Sequence, residues 1–487
     1  MDKKDRTLQQ YYTDCNYITS YMMKLLDVKK NESIIEPCAG EGAFIKKIID
    51  LDFDNDISAI EIDKKSIDFL KHNYKNINLF HKDFLNFNEK KADKIIGNPP
   101  YGAIQSVEKK KELKKTFKGF YVKETYTLFI LHSLNLLKEN GRLVFIVPDT
   151  FMNLHMHKKF RNYILNQFLI ESITLFSSKF FPGVNFGYAG LAIISIKKTN
   201  IAKKNIKFPV FGKINNKNDF LNITADPDHY LIDYLTYEDC IYNESFYLTK
   251  EKWMKSLFVK NHITINNVGK VVTGFYSGDD KNNLKRDSKN LKYSNRYSEI
   301  NNNYICKNNK IDLDGIDDSK CYVSIVKGGN IRFNKPDLWY MNWSRQAVSN
   351  YKISEKSRFQ NSEFYFKQGL AIPMISSKRI TCSLINQRLF DQSIVGVFLY
   401  EKFDYLLLYF LGFFNSKLCN KLIRTINSST NNSANYIKKI PIIIPEKKEL
   451  KLINKEVSRL LELSFEKVIS DNDLHLLDKL FYKIYCQ

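Results

Sequence analysis

The sequence predicts an α/β fold: a doubly wound domain on a parallel sheet, followed by a mixed α+β domain. The chain has 487 residues, 44% of them hydrophobic and 14% aromatic, which is enough apolar material for two to three folded domains. Through the first 200 residues, short β-branched runs alternate with helical stretches, the pattern of parallel strands covered by helices. The periodicity is less regular later. We therefore expect one domain over residues 1–245 and a second over residues 246–487.

Each element of the first domain follows from this alternation. The apolar runs predict strands over residues 33–35, 57–62, 78–80, 94–96, 142–147 and 191–196. Helical spacing predicts helices over residues 43–51, 64–73 and 126–138. We expect the Asn- and Lys-rich residues 199–220 to form an excursion from the sheet. In the second domain, the apolar spacing of residues 446–487 predicts terminal helices.

The charge and cysteine content restrict the partners and the compartment. Lysine and arginine total 75 against 53 acidic residues, a formal charge of +22, so an anionic partner is expected, nucleic acid first and a membrane surface second. The eight cysteines form no Cys-x-x-Cys motif and no metal-ligand spacing, which favours a reduced cytoplasmic protein without a structural metal. No apolar stretch approaches about 18 residues, so we expect neither a membrane span nor secretion.

A glycine turn follows the first predicted strand, where the chain reads Glu36-Pro37-Cys38-Ala39-Gly40-Glu41-Gly42. Such a Gly-x-Gly turn lets a ligand lie against the backbone at the carboxyl end of a strand. The third glycine of a dinucleotide fingerprint is missing, which disfavours NAD. Glu61, at the end of the second predicted strand, is suited to accept both ribose hydroxyls of a nucleoside cofactor.

The strand over residues 94–96 leads into Asn98-Pro99-Pro100-Tyr101. The two prolines fix the backbone and remove two donors, so that carbonyls and the Asn98 amide oxygen remain as acceptors. Such a site suits an exocyclic amino group, since accepting its hydrogen bonds makes that weak nucleophile able to attack a methyl sulfonium. Tyr101 would supply a face on which a planar base stacks.

These motifs, in this order, resemble the gamma class of N6-adenine DNA methyltransferases of bacterial restriction–modification systems. The resemblance implies a Rossmann-like S-adenosylmethionine-dependent methyltransferase domain and a DNA target-recognition domain. Asn98, Pro99, Pro100 and Tyr101 match the family's catalytic tetrapeptide. The target adenine would be flipped out of double-stranded DNA, because a stacked base cannot present its amino group. Phe181, just before a proline, would face the base opposite Tyr101, with Phe186 and Tyr188 as alternatives.

The resemblance also implies the cofactor contacts. Asp83 matches the residue that accepts the cofactor adenine's amino group, and Phe84 the residue that packs on that ring. Thr13 matches a contact of the N-terminal motif that closes over the methionine end. Cys38 is interpreted as packing within the loop and not as a nucleophile. The full set of expected S-adenosylmethionine contacts is Thr13, Glu36, Pro37, Cys38, Ala39, Gly40, Gly42, Glu61, Ile62, Asp83, Phe84 and Asn98.

The second half resembles, more faintly, the target-recognition regions of the same enzymes. Double-stranded DNA is the expected partner, and the resemblance allows a separate cognate restriction endonuclease. We expect no DNA cleavage by this chain. Candidate DNA contacts are Lys109, Lys110, Lys111, Lys281 and Arg286. Arginines suited to bidentate contacts with guanine are Arg286, Arg332, Arg345, Arg358, Arg379 and Arg388.

Two alternatives remain open. An Asn-Pro-Pro-Tyr motif also occurs in enzymes that methylate rRNA adenine or a protein glutamine amide, although a long basic second domain favours duplex DNA. A catalytically silent DNA-binding specificity protein is the other alternative. Intact Asn98, Tyr101, Glu61 and Asp83 argue against it, and binding of S-adenosylmethionine would separate the two.

Overall fold

A computed structural model describes residues 16–102, 106–181, 190–200, 205–249, 251–258, 262–307, 311–376, 379–427 and 430–486. The chain divides into two compact units, Met1–Lys250 and Glu251–Gln487. The sequence placed the expected boundary after residue 245. Among the described residues, no helix is both long enough and apolar enough to cross a membrane.

Within the described residues, the first unit is built on one nine-stranded sheet. Its strands are β1 (Ser33–Glu36), β2 (Asp56–Glu61), β3 (Asn78–His81), β4 (Ala92–Gly97), β5 (Leu137–Pro148), β6 (Leu169–Phe176), β7 (Leu191–Lys197), β8 (Lys207–Ile214) and β9 (Leu231–Thr236). Their order is β3-β2-β1-β4-β5-β7-β6-β8-β9. The first five strands pair in parallel, and β7 is antiparallel to both β5 and β6. The predicted α/β fold with a parallel sheet is confirmed.

Helices connect β1 to β2, β2 to β3 and β4 to β5. The helices of this unit are α1 (Asn16–Leu26), α2 (Ala43–Ile49), α3 (Lys64–Asn73), α4 (Val107–Thr116), α5 (Thr125–Leu136), α6 (Lys158–Gln167), α7 (Lys217–Asn222), α8 (Pro227–Tyr230) and α9 (Tyr237–Asn243). Helix α5 is buried along nearly its whole length, as its almost continuous apolar sequence dictates. Helix α4 is lysine-rich and buries Leu113.

The prediction of an excursion over residues 199–220 was wrong, because this segment contains strand β8. Strand β8 pairs in parallel with β6 and antiparallel with β9, so it extends the sheet. Phe208, Val210 and Ile214 are buried, two or four residues apart along the strand. That spacing is the period-two pattern of a strand, which the surrounding lysines and asparagines obscured in the sequence.

One edge of the sheet collects the predicted motifs. Because β1, β2 and β4 run parallel, their carboxyl ends lie at the same edge. The glycine turn (residues 37–42) follows β1, Glu61 ends β2, and the tetrapeptide (residues 98–101) follows β4. The topology therefore brings three separate sequence signals to neighbouring strand ends.

The described part of the second unit has two four-stranded sheets, ordered β10-β17-β14-β15 and β11-β13-β12-β16. These strands are β10 (Gly269–Thr273), β11 (Leu284–Arg286), β12 (Tyr322–Val326), β13 (Trp339–Asn342), β14 (Leu370–Pro373), β15 (Ser383–Leu384), β16 (Leu389–Phe390) and β17 (Ile394–Leu399). Its helices are α10 (Lys252–Leu257), α11 (Ile265–Val268), α12 (Asp280–Asn283), α13 (Arg345–Ile353), α14 (Leu407–Asn415), α15 (Lys417–Ile426), α16 (Ala434–Ile437), α17 (Lys447–Glu466) and α18 (His475–Tyr485). The mixed α+β character and the terminal helices agree with the sequence.

Candidate functional site

The glycine turn has a backbone that requires glycine at two positions. Gly40 has φ 52° and Gly42 has φ 82°, both in the left-handed region that residues with a Cβ atom rarely adopt. A Cβ atom at Gly42 would also lie 2.7 Å from the ring of Tyr74 and 2.9 Å from Leu70. The turn therefore lies close to Leu70 of helix α3 and to Tyr74, the C-cap of that helix.

Glu61 joins the glycine turn to the end of β2. Its carboxylate accepts hydrogen bonds from the backbone N–H groups of Gly40 (2.8 Å), Ile62 (2.7 Å) and Asp63 (2.8 Å). A carboxylate offers about four acceptor positions, so about one remains for a ligand hydroxyl in this arrangement. Ile62, the next residue, is half exposed at the same strand end.

Glu36 places a second carboxyl group beneath the turn. The side chain is buried, and its Oε2 atom has no hydrogen-bond partner within the described residues. Burial, opposed by a hydrogen bond from the backbone of Ile45 and reinforced by the charge of Glu61, raises the pKa of Glu36 well above its usual range. An unsatisfied buried carboxyl oxygen is costly, so a cationic ligand group at this point would be stabilised.

The turn and the tetrapeptide touch each other. The Cys38 thiol donates to the backbone oxygen of Asn98 over 3.2 Å, and a Cβ atom at Gly97 would lie 3.2 Å from the Pro37 ring. Burial raises the pKa of Cys38 well above its usual range, so the thiol stays neutral. Cys38 therefore serves as a packing and hydrogen-bonding residue, and Ala39 beside it is buried.

Within the tetrapeptide, the Tyr101 hydroxyl donates to the side-chain oxygen of Asn98 over 2.6 Å. Asn98 is half-buried, whereas the Tyr101 side chain is buried. The Thr125 hydroxyl donates to the backbone oxygen of Pro100 over 2.6 Å, which fixes the second proline to the start of α5. An amide oxygen has two acceptor positions, and the Tyr101 hydroxyl occupies one of those on Asn98.

Tyr101 packs against Tyr126, which belongs to a series of hydrogen-bonded side chains. The Tyr101 ring meets the Tyr126 ring edge to face, with centroids 6.4 Å apart. The Tyr126 hydroxyl lies 3.1 Å from the Thr150 hydroxyl and 3.2 Å from Nε2 of His157, which in turn lies 2.7 Å from a Glu124 carboxylate oxygen. These contacts were not predicted from the sequence. The residues around His157 form no motif that indicates its contacts with Tyr126 and Glu124.

The predicted adenine-binding pair lies at the end of β3. Asp83 accepts from the backbone N–H of Leu85 over 3.0 Å, and its other oxygen lies 3.0 Å from the Lys109 ammonium. Phe84 is buried, and its ring packs against those of Phe87, Phe129 and His132. Lys109 was expected to contact DNA, and this ion pair directs it instead to the predicted cofactor site.

The other predicted residues have varied surroundings. Phe181 is buried, with its ring centroid 6.5 Å from that of Phe176. Lys111 and Lys281 are exposed and Lys110 is half-buried. Arg286 is buried and binds the backbone oxygens of residues 287 and 288 and the Glu299 carboxylate, which does not favour the predicted DNA contact. Thr13, Phe186 and Tyr188 lie outside the described residues.

Most of the other arginines named from the sequence are also engaged within the second unit. Arg332 and Arg379 pair with Asp471, and Arg388 pairs with Asp337. Arg345 is exposed, 3.9 Å from Asp317. Arg358 is exposed, and its backbone exchanges two hydrogen bonds with that of Tyr276. Within the described residues, no group of three or more His, Cys, Asp or Glu side chains could hold a metal ion.

Part of the chain is similar in sequence to known methylases. Residues 18–181 match the family described as Eco57I restriction-modification methylase. Over 220 residues the chain is 31% identical to the Type II methyltransferase M.HincII of Haemophilus influenzae, covering 43% of this chain and 42% of that protein. Over 289 residues it is 26% identical to the Type II methyltransferase M.AccI of Acinetobacter calcoaceticus, covering 56% of this chain and 52% of that protein. The chain thus matches about half the length of these curated relatives.

A solved structure shares the fold over most of the chain. The cryo-electron-microscopy structure of a DrdV–DNA complex aligns with 96% of this chain and 58% of its own, with a TM-score of 0.53 and 14% sequence identity. At this identity the likeness concerns the fold alone.

Proposed function

Because residues 18–181 match the family described as Eco57I restriction-modification methylase, we propose that the protein is a sequence-specific DNA methyltransferase that modifies N6 of adenine. The methyl donor is S-adenosylmethionine, and the target base is flipped out of double-stranded DNA. The observation that carries this proposal is the contact between the tetrapeptide and the glycine turn, through Cys38 and the backbone oxygen of Asn98. A methyl acceptor held at Asn98 would lie beside a donor held at the turn.

The residues around the turn fit this cofactor. The unsatisfied, buried Oε2 atom of Glu36 suits the positively charged methionine portion. Glu61 retains acceptor capacity for a ribose hydroxyl, and the half-exposed Ile62 suits the face of the adenine. Asp83 would accept from the adenine amino group, and Gly40 and Gly42 keep the backbone open. When bound, S-adenosylmethionine supplies an electrophilic methyl group on a sulfonium.

Asn98 and Tyr101 act on the adenine that is methylated. The Asn98 side-chain oxygen accepts a hydrogen bond from the amino group and so raises electron density on that nitrogen. Tyr101 offers its ring to the flipped base, and the edge-to-face contact with Tyr126 holds that ring in place. Phe181 would cover the opposite face. Base flipping is needed because a stacked adenine cannot reach Asn98.

The second unit is the proposed target-recognition part. The whole chain carries a formal charge of +22, which suits a polyanionic partner. Arg358 is exposed on a backbone that hydrogen bonds fix to Tyr276, and guanidinium groups read guanine through two parallel hydrogen bonds. Double-stranded DNA is therefore the proposed partner, with a separate restriction endonuclease as the second protein of the system. The described cysteines are free thiols, which suits a reducing cytoplasm.

The test is a transfer assay with labelled S-adenosylmethionine and unmethylated plasmid DNA, followed by digestion to nucleosides. We expect labelled N6-methyldeoxyadenosine with the wild-type chain. Asn98→Ala removes the acceptor of the amino group and is expected to lower the rate by about 100-fold to 1,000-fold while S-adenosylmethionine still binds. Label in RNA or protein instead of DNA would overturn the assignment of substrate. Label in another nucleoside would overturn the assignment of the methylated atom.

A further inference from the structure

Helix α4 starts shortly after the tetrapeptide and carries several lysines that look alike in the sequence. Lys109 differs from the others in its surroundings. Its ammonium lies 3.0 Å from Asp83 and 3.2 Å from Glu112, and only 29% of its side chain is exposed. Burial acts to lower the pKa of Lys109, but pairing with Asp83 and with Glu112 together outweighs burial and raises it. Two carboxylates already neutralise this ammonium, which makes it a poor partner for a DNA phosphate.

The position of Lys109 on the helix is unfavourable by itself. It is the third residue of α4, whose N-cap Ser106 accepts a hydrogen bond from the Lys109 backbone N–H over 3.1 Å. The N-terminal turn of a helix carries partial positive charge, so a cation there is disfavoured. The ion pair with Asp83, on a neighbouring segment, offsets this unfavourable position of the Lys109 ammonium.

Asp83 gains a fixed orientation from this pair. One oxygen accepts from the backbone N–H of Leu85, and the other faces Lys109. About two of the four acceptor positions of the carboxylate then remain, aimed by the two contacts. Leu113, on the next turn of α4, is buried in the core of the first unit and anchors the helix that carries Lys109.

We infer that Lys109 is a positioning residue of the cofactor site: its ammonium orients the Asp83 carboxylate toward the adenine amino group of S-adenosylmethionine. This inference rests on the proposed function and goes beyond it, since Lys109 acts on the cofactor and not on DNA.

The experiment measures S-adenosylmethionine binding by calorimetry on the full chain, without DNA. We expect Lys109→Met to raise the Kd about twofold to fivefold, the range of a partly exposed ion pair. Lys109→Arg, which keeps the charge, is expected to restore most of the affinity. Lys115→Met is the matched control: Lys115 lies on the same helix and is exposed, so its replacement should leave the Kd unchanged.

A double-mutant cycle separates positioning from general structural damage. In an Asp83→Asn background, Lys109→Met should change the Kd no further, because the partner through which it acts is gone. Equal losses in both backgrounds would overturn the inference. So would an unchanged cofactor Kd in Lys109→Met, whether or not its DNA affinity falls. If the wild-type chain itself bound no S-adenosylmethionine, the proposed function would fail instead.

Discussion

The hydroxyl of Tyr101 donates a 2.6 Å hydrogen bond to the side-chain oxygen of Asn98. Two residues of one tetrapeptide thus restrain each other, the tyrosine orienting the amide that is proposed to receive the target amino group. An amide oxygen has two acceptor positions, so a hydrogen bond from Tyr101 is compatible with a second one from that group. The ring and the hydroxyl of Tyr101 therefore have separable roles.

Tyr101→Phe removes the hydroxyl and keeps the ring. We expect methyl transfer in a single turnover to slow by about twofold to tenfold, the value of one neutral hydrogen bond. Tyr101→Ala also removes the stacking face and should slow transfer further, by at least another tenfold. Single-turnover rates at saturating S-adenosylmethionine measure both variants. Equal rates for the two variants would show that the ring contributes nothing.

Glu61→Gln tests the link between β2 and the glycine turn. Glutamine replaces one carboxylate oxygen with an NH₂ group, which cannot accept from the N–H groups of Gly40, Ile62 or Asp63. We expect S-adenosylmethionine affinity to fall by about 1.5 to 3 kcal/mol, which is roughly 10-fold to 150-fold. Calorimetry measures the change. An unchanged Kd would mean that the ribose is bound elsewhere.

Asp149 follows β5, and its raised pKa leads us to expect that the stability of the folded chain depends on pH. Burial raises the pKa of its carboxyl to about 6, although the backbone N–H of Gly190 opposes the shift. A raised carboxyl pKa favours the folded state while the group is protonated, and this advantage is lost as the pH rises from about 4 to about 6. Asp149→Asn cannot ionise, so above pH 6 it should be more stable than the wild type by up to about 3 kcal/mol.

Thermal unfolding at pH 4 and pH 8 measures this difference, which should vanish at the lower pH. Asp93→Asn is the control of opposite sign. Burial acts against ionisation of Asp93, but hydrogen bonds from Lys138 and Ser33 outweigh it and lower the pKa to about 2. That stabilisation is present above pH 4 and is lost as the pH falls toward 2, so Asp93→Asn should be destabilised at pH 8. A gain in stability in both variants would contradict the assigned signs.

Arg358→Ala and Arg286→Ala separate a DNA contact from a structural arginine. Arg358 is exposed, so its replacement should cost about 1 to 3 kcal/mol of sequence-specific DNA binding while the unfolding temperature stays unchanged. Arg286 is buried and paired with Glu299, so its replacement should lower the unfolding temperature. Fluorescence anisotropy with specific and nonspecific duplexes gives the affinities. Specific binding that survives in Arg358→Ala would remove it from the proposed interface.

The parallel sheet and the neighbouring positions of its motifs were predictable from the sequence. An apolar run followed by a glycine turn, and another followed by two prolines, are local patterns that depend on a few adjacent residues. Parallel strands bring their carboxyl ends to one edge, so the glycine turn, Glu61 and Asn98 had to come close once the strand order was correct. The roles of these residues in cofactor and base binding remain predictions that the experiments above test.

The sequence by itself therefore determined the α/β fold of the first unit and the strand ends that carry the candidate site. Only the tertiary structure decided which of several similar charged residues meets which partner. Lys109 and Lys111 are neighbours in the same lysine run, yet one pairs with Asp83 while the other is exposed. Likewise, Arg286 is buried and pairs with Glu299, whereas Arg358 is exposed. Such pairings depend on helix phase and on burial by residues distant in the chain, which no local pattern encodes.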